Sequence, residues 1–128
     1  MTPDDHARAA DDLLQAEVEA LRRLDRELHG NALRAHFPTL IERFMIRDEQ
    51  RSQRQTNVLA FEANYFTLAD VIKAYPKGID PQDMAWMFNR LLAALGVSHE
   101  EGIIHGAVIP AHIMIRPSDH NGMLIDWC

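Results

Sequence analysis

Leu14, Val18, Leu21 and Leu28, with Leu24 beside them, recur at helical spacing, while Glu17, Glu19, Arg22, Arg23, Asp25 and Arg26 fall on the other faces. The spacing predicts a helix from about Asp12 to Leu28, with Asp12 as cap, Gln15 three residues on, and Gly30 just past its end. One face of it is built to pack. From Phe37 to Ile46 the pattern changes to an apolar run with β-branched and aromatic residues, which predicts a strand. An Arg-rich polar stretch, Arg47 to Arg54, follows as a solvated turn, and Val58 to Phe61 reads as the returning strand of a hairpin.

Further along, Thr67-Leu68-Ala69-Asp70 opens a short helix with a capping-box pattern, ended by Pro76 and Gly78. Asp80-Pro81 then places a cap and a first-turn proline ahead of a longer helix carrying Met84, Met87, Phe88, Leu91, Leu92 and Leu95, a stripe expected to be core. The last segment is punctuated by Pro110, Pro117 and Gly122. Its short apolar runs, Ile103-Ile104, Ile113 to Ile115 and Met123 to Ile125, read as small strands. The last two flank an Asn121-Gly122 turn signal and should form a second hairpin.

The 128 residues fit one domain, residues 1–128, long enough to bury a core without a metal or disulfide staple. Thirteen Lys and Arg against nineteen Asp and Glu give a net charge of −6, the wrong sign for holding polyanions by charge alone, so no nucleic-acid partner is expected. No apolar run approaches the ~20 residues that span a bilayer, so no membrane partner is expected. The single cysteine, Cys128, cannot form an internal disulfide. A reducing, cytoplasmic setting is therefore expected.

Candidate chemistry lies after the long helix. Gly102-Ile103-Ile104-His105-Gly106-Ala107-Val108-Ile109-Pro110-Ala111-His112-Ile113-Met114-Ile115 is followed, past the second hairpin, by Asp126-Trp127-Cys128. This resembles the catalytic-loop region of the protein kinase family, H-R-D-L-K-P-E-N with two apolar strand residues and then D-F-G. The segment from Gln15 to Leu21, with Glu17, is similar to the family's helix αC. Phe37 to Ile46 and Val58 to Glu62 look like its fourth and fifth strands, Ala63 to Phe66 like the hinge, Thr67 to Ala74 like αD, and Pro81 to Glu101 like αE.

The resemblance implies an α+β, partial kinase-like fold. Residues 11–62 would be a small-lobe remnant of helix and hairpin, and 63–128 would hold hinge, αD, αE, loop region and terminal hairpin. Where a kinase needs an aspartate to accept the substrate hydroxyl proton, this chain has Ala107. Gly106 replaces the motif arginine, Ile109 the lysine, and His112 the metal-binding asparagine; imidazole is a poor ligand for Mg²⁺. His105 and Asp126 remain, and Asp126 is the one conventional metal-ligand candidate. No lysine precedes Lys73 and no glycine precedes Gly30, so Glu17 lacks its family partner and reads as a solvated helix carboxylate.

The expected function is a catalytically inactive, pseudokinase-type module used in binding or regulation. The alternative is a nucleotide sensor or atypical phosphotransferase that holds ATP and Mg²⁺ through Glu62, Ala63, Asn64 and Asp126. His99, His105, His112 and His120 lack the short spacing of a zinc pair, and nothing in the sequence sets a base beside Cys128. Strands that the family places beside the 37–61 hairpin are missing, so a homodimer or protein partner is expected to cover that hairpin together with Leu14, Val18 and Leu21.

Overall fold

The computed structural model describes residues 2–60 and 62–127, the side chain of Asp4 excepted; Phe61 and Cys128, both named above, lie outside the described residues. Helix α1 spans Pro3–Glu27 and so starts well before Asp12. The cause is a capping box: the Asp5 backbone N–H donates to the Thr2 hydroxyl at 3.2 Å, and the Asp5 carboxylate accepts from the Thr2 N–H at 2.9 Å, with Pro3 at the first helical position. The Thr2 backbone N–H and hydroxyl, both donating to it, hold the Asp5 carboxyl below the ordinary carboxylate range. After α1 the chain makes one tight helical turn at Ala32–His36, which the apolar pattern did not announce.

Strands β1 (Leu40–Arg47) and β2 (Gln53–Leu59) pair antiparallel, from Leu40 opposite Leu59 to Arg47 opposite Gln53. The hairpin stands as expected, with shifted ends. Pro38 has no N–H for a ladder, which agrees with the strand beginning after it. Phe37, expected in the strand, is instead buried against Trp127, ring centres 5.2 Å apart. The turn is shorter than expected, because the Asp48 carboxylate accepts from the Gln50 and Ser52 N–H groups and Arg51 takes a left-handed φ of 61°. Polar residues 53–57 therefore belong to β2.

In the second half, β3 (Phe66–Thr67), β4 (Ile113–Arg116) and β5 (Asn121–Leu124) form an antiparallel sheet in that order. Helix α2 covers Leu68–Ala74, capped by Thr67, and α3 covers Pro81–Glu100, capped by Asp80 with Pro81 at its first position. Ile103-Ile104 is no strand, and Ile104 is exposed. The second hairpin forms as expected, but Asn121 and Gly122 lie within β5; the turn is 117–120, with His120 at a φ of 56°. Gly122 serves packing instead: a Cβ there would stand 3.2 Å from the Leu91 side chain.

Among the described residues the chain is thus α+β, three α-helices with two small antiparallel sheets. Its core joins Leu21, Leu24 and Leu28 of α1 to Phe37, to Met87, Leu91 and Ala94 of α3, to Ile113, Ile115 and Leu124, and to Trp127. Each fully buried Leu of this set contributes about 1.5–3 kcal/mol relative to exposure. Two expectations about faces are corrected. The buried stripe of α3 is Met87, Leu91, Ala94 and Ser98, whereas Met84, Phe88 and Leu92 are exposed because no layer of the described residues lies over them. Val18 and Leu21 are 0% and 2% exposed, so this chain's own residues already cover them; Leu14 is half-buried.

Glu17 also departs from its reading as a solvated carboxylate, being 6% exposed. It sits on the packed side of α1, where the Asn57 side-chain amide donates to its Oε2 at 2.9 Å and to the Leu14 carbonyl at 2.9 Å. A buried carboxylate needs such donors. No periodicity in the sequence reveals an asparagine forty residues away.

Candidate functional site

The loop between α3 and β4 brings His105 to His112 against Ile125, Asp126 and Trp127. Gly106 turns this loop with a φ of 78°, a conformation glycine adopts freely and an arginine would not. His105 is 1% exposed and organises the site. Its Nδ1 accepts from the Ala107 N–H at 3.2 Å, so its proton resides on Nε2, which donates to the Ile125 carbonyl at 2.7 Å. Trp127 packs edge-on against the ring, centres 4.7 Å apart. Its two ring nitrogens thus link the Ala107 backbone to the Ile125 carbonyl.

His112, in the short helical turn Pro110–His112, reaches both ways. Its Nδ1 meets the Ala107 carbonyl at 2.8 Å and its Nε2 meets Asp126 Oδ2 at 2.9 Å. His112 thereby bridges the loop backbone and the Asp126 carboxylate. Asp126, at a φ of 60°, is half exposed. Its carboxylate therefore faces an imidazole supplied by the loop itself.

Ala107 offers its backbone carbonyl to His112 and only a methyl as side chain, and with Ile109 it is exposed. Neither side chain can transfer a proton. Among the described residues no group of three His, Cys, Asp or Glu could hold a metal. One carboxylate whose neighbour at 2.9 Å is an imidazole nitrogen is a poor fit to Mg²⁺, which demands a near-octahedral set of oxygens. The other histidines do not converge here: His120 lies 3.3 Å from Asp83 and edge-on to Trp86, and His99 is exposed near the end of α3.

The hinge-like residues Glu62, Ala63 and Asn64 are exposed, and Glu62 approaches Arg116 at 3.9 Å. Of these three, Glu62 lines a small apolar pocket of about 140 Å³ shared with Pro38, Leu59, Ala60, Tyr65, Met114, Met123 and Ile125. That volume falls below the ~300–1,000 Å³ of most ligand sites. Ile125 joins pocket and loop, since its carbonyl receives His105.

Two residues that hold the site have no part in it in the sequence reading above. Trp127 is 2% exposed and wedged between Phe37 and His105, and its indole N–H donates to the Leu124 carbonyl at 2.8 Å. Asn121 donates to the Ala35 carbonyl at 3.0 Å and to the Tyr65 hydroxyl at 2.7 Å, tying β5 to the turn after α1 and to the hinge. The aromatic after Asp126 was a signal for the first; for the second none exists, because Asn-Gly reads locally as a turn.

No family model matches the chain. Over 45 residues, 35% of its length, it is 42% identical to casein kinase II subunit alpha' of Saccharomyces cerevisiae. That stretch covers 13% of the yeast protein's length, so the chain relates to a kinase subunit over one segment.

Proposed function

We propose that the chain is a kinase-like module without phosphotransferase activity, acting by binding or regulation in the cytoplasm. The observation that carries this reading is the 2.9 Å contact of His112 with Asp126 beside Ala107. The carboxylate that resembles a metal ligand is met by an imidazole, and the position that resembles the catalytic base bears a methyl group. Loss of general acid or base catalysis alone removes ~10²–10⁴-fold in rate. Exposed apolar residues on β1, Ile41, Phe44, Met45 and Ile46, support a partner at the hairpin, a second copy or another protein.

The test is incubation with labelled ATP, Mg²⁺ or Mn²⁺ and generic substrates. No transfer above background is expected. Stoichiometric transfer abolished by Asp126→Ala overturns the reading.

The second reading, a nucleotide sensor, draws on the apolar pocket that Glu62, Met114 and Ile125 line, which at about 140 Å³ would take only part of a nucleotide. A thermal shift separates the two. Ligand at a hundred times its dissociation constant adds about 2.7 kcal/mol of stability, so a flat melting temperature at millimolar ATP with Mg²⁺ leaves the binding module alone.

A further inference from the structure

The outward face of α3 carries almost no charge. From Met84 to Ser98 the one charged residue is Arg90, which is half-buried and whose guanidinium reaches Asn121 of β5 at 3.5 Å, on the packed side. The other side presents Met84, Phe88 and Leu92 to solvent, 38%, 58% and 48% exposed, with Ala85 and Gly96 beside them. At about 3.6 residues per turn, Met84, Phe88, Leu92, Leu95 and His99 form one stripe along the helix. Past its end the stripe runs into a hollow of about 290 Å³ walled by His99, Gly102 and Ile104, and Ile104 is 79% exposed. A helix apolar on both sides is normally covered on both, whereas the described residues cover only one side of α3.

Charge, spacing and size all fit this face to a second copy of the chain. Each copy carries a net charge of −6, and the core of an interface is depleted in charge. No Asp, Glu, Lys or Arg lies on the stripe, so two copies meet there without like charges opposed. The exposed strand β1 lacks that property, because Glu42, Arg43 and Arg47 interrupt Ile41, Phe44, Met45 and Ile46. The positions 84, 88, 92, 95 and 99 also read nearly the same from either end, as a two-fold interface between antiparallel helices requires. Leu92 then falls near the axis, Phe88 of one copy meets Leu95 of the other, and Met84 meets His99 and the hollow behind it. Antiparallel pairing also sets the negative C-terminal end of one α3 beside the positive N-terminal end of the other. Met84, Phe88, Leu92 and Ile104 alone expose on the order of 450 Å², and the small residues between them bring the face toward the ~800 Å² per partner of a standard interface.

We propose that the chain pairs with a second copy of itself through the outward face of α3, the two helices antiparallel about Leu92. This inference goes beyond the reading above, which sets a partner at the hairpin. It uses no residue of the His105–Asp126 loop, so a chain that stays monomeric leaves the inactive-module reading standing.

The test is sedimentation equilibrium of the full chain from low micromolar to several hundred micromolar concentration. A reversible monomer–dimer equilibrium is expected, with a dissociation constant on the order of 10 µM for an interface of this size. Leu92→Lys and Leu92→Glu each set like charges across the axis and should weaken self-association at least about tenfold. The melting temperature at low micromolar concentration should stay nearly unchanged, because the Leu92 side chain is half exposed. Mixing the two variants sets Lys against Glu and should restore a dimer that neither forms alone. A wild-type chain that is monomeric throughout, variants that dimerise as tightly as the wild type, or a mixture that stays monomeric overturns the proposal. A dimer abolished by Ile46→Lys on β1 but not by Leu92→Lys places the interface at the hairpin and overturns it as well. Phosphotransfer measured on the same samples tests the inactive-module reading separately, so either can fail alone.

Discussion

The two hairpins of this chain are built alike and end in opposite environments. In β1–β2, β1 is exposed from Ile41 through Arg47, and β2 meets α1 through polar groups: the Gln55 N–H donates to Asp11 at 3.3 Å and Asn57 donates to Glu17. In β4–β5, every residue of β5 is buried, with Leu91 of α3 against Gly122 and the His36 ring bonded to the Gly122 carbonyl at 2.8 Å. Register and turn are local properties, and both hairpins have them. Burial depends on a second layer, which this chain supplies to one hairpin and largely withholds from the other.

The sharpest way to break that contrast is Leu124→Ala, at a side chain 0% exposed. It should cost about 2–5 kcal/mol, seen as a lowered denaturation midpoint with an unchanged slope. Next, Asn57→Ala removes the donor to the buried Glu17 carboxylate, and a loss of about 1–3 kcal/mol is expected. Hydrogen exchange should place that loss in β1–β2, with β4–β5 amides keeping their protection; a uniform loss would show that the two hairpins unfold as one unit.

A smaller effect is expected at the β4–β5 turn. Arg116 grips Asp119 at 2.9 and 2.7 Å, and its hydrogen bonds hold the Asp119 carboxyl far below the ordinary carboxylate range. A pKa depressed in the folded state adds stability that is present above the unfolded value near 4 and is lost as the pH falls below it. The Asp119 side chain is 44% exposed, so solvent screening limits the contribution to under about 1 kcal/mol. Melting curves from pH 6 to 2 should show this acid loss in the wild type and less of it in Asp119→Asn. The smallest effect is expected for Ile46→Ala on the exposed strand, within about 0.5 kcal/mol, checked by the same denaturation curves.

Much of the layout was legible in advance. Thr67, Asp80 and Pro81 announced two helices, and short apolar runs with turn signals announced two hairpins, because caps, prolines and turn residues act within a few residues. The start of α1 is equally local, set by the Thr2–Asp5 capping box rather than by the apolar stripe. At the candidate site, His105, His112 and Asp126 were legible as a group through their spacing, and the structure brings them together. Their bonding pattern was not legible, since it turns on which ring nitrogen meets which oxygen.

From the sequence alone came the order of elements, the alanine at position 107 and the acidic balance, for these need only residue identity and short spacing. The tertiary structure alone decided that Glu17 is buried, that Gly122 serves packing against Leu91 rather than a turn, that Met84, Phe88 and Leu92 stay exposed on α3, and that His112 is the neighbour of Asp126. Each of these depends on what another part of the chain places against a residue. A face is buried only when a second layer arrives, and a charge is matched only when a partner does.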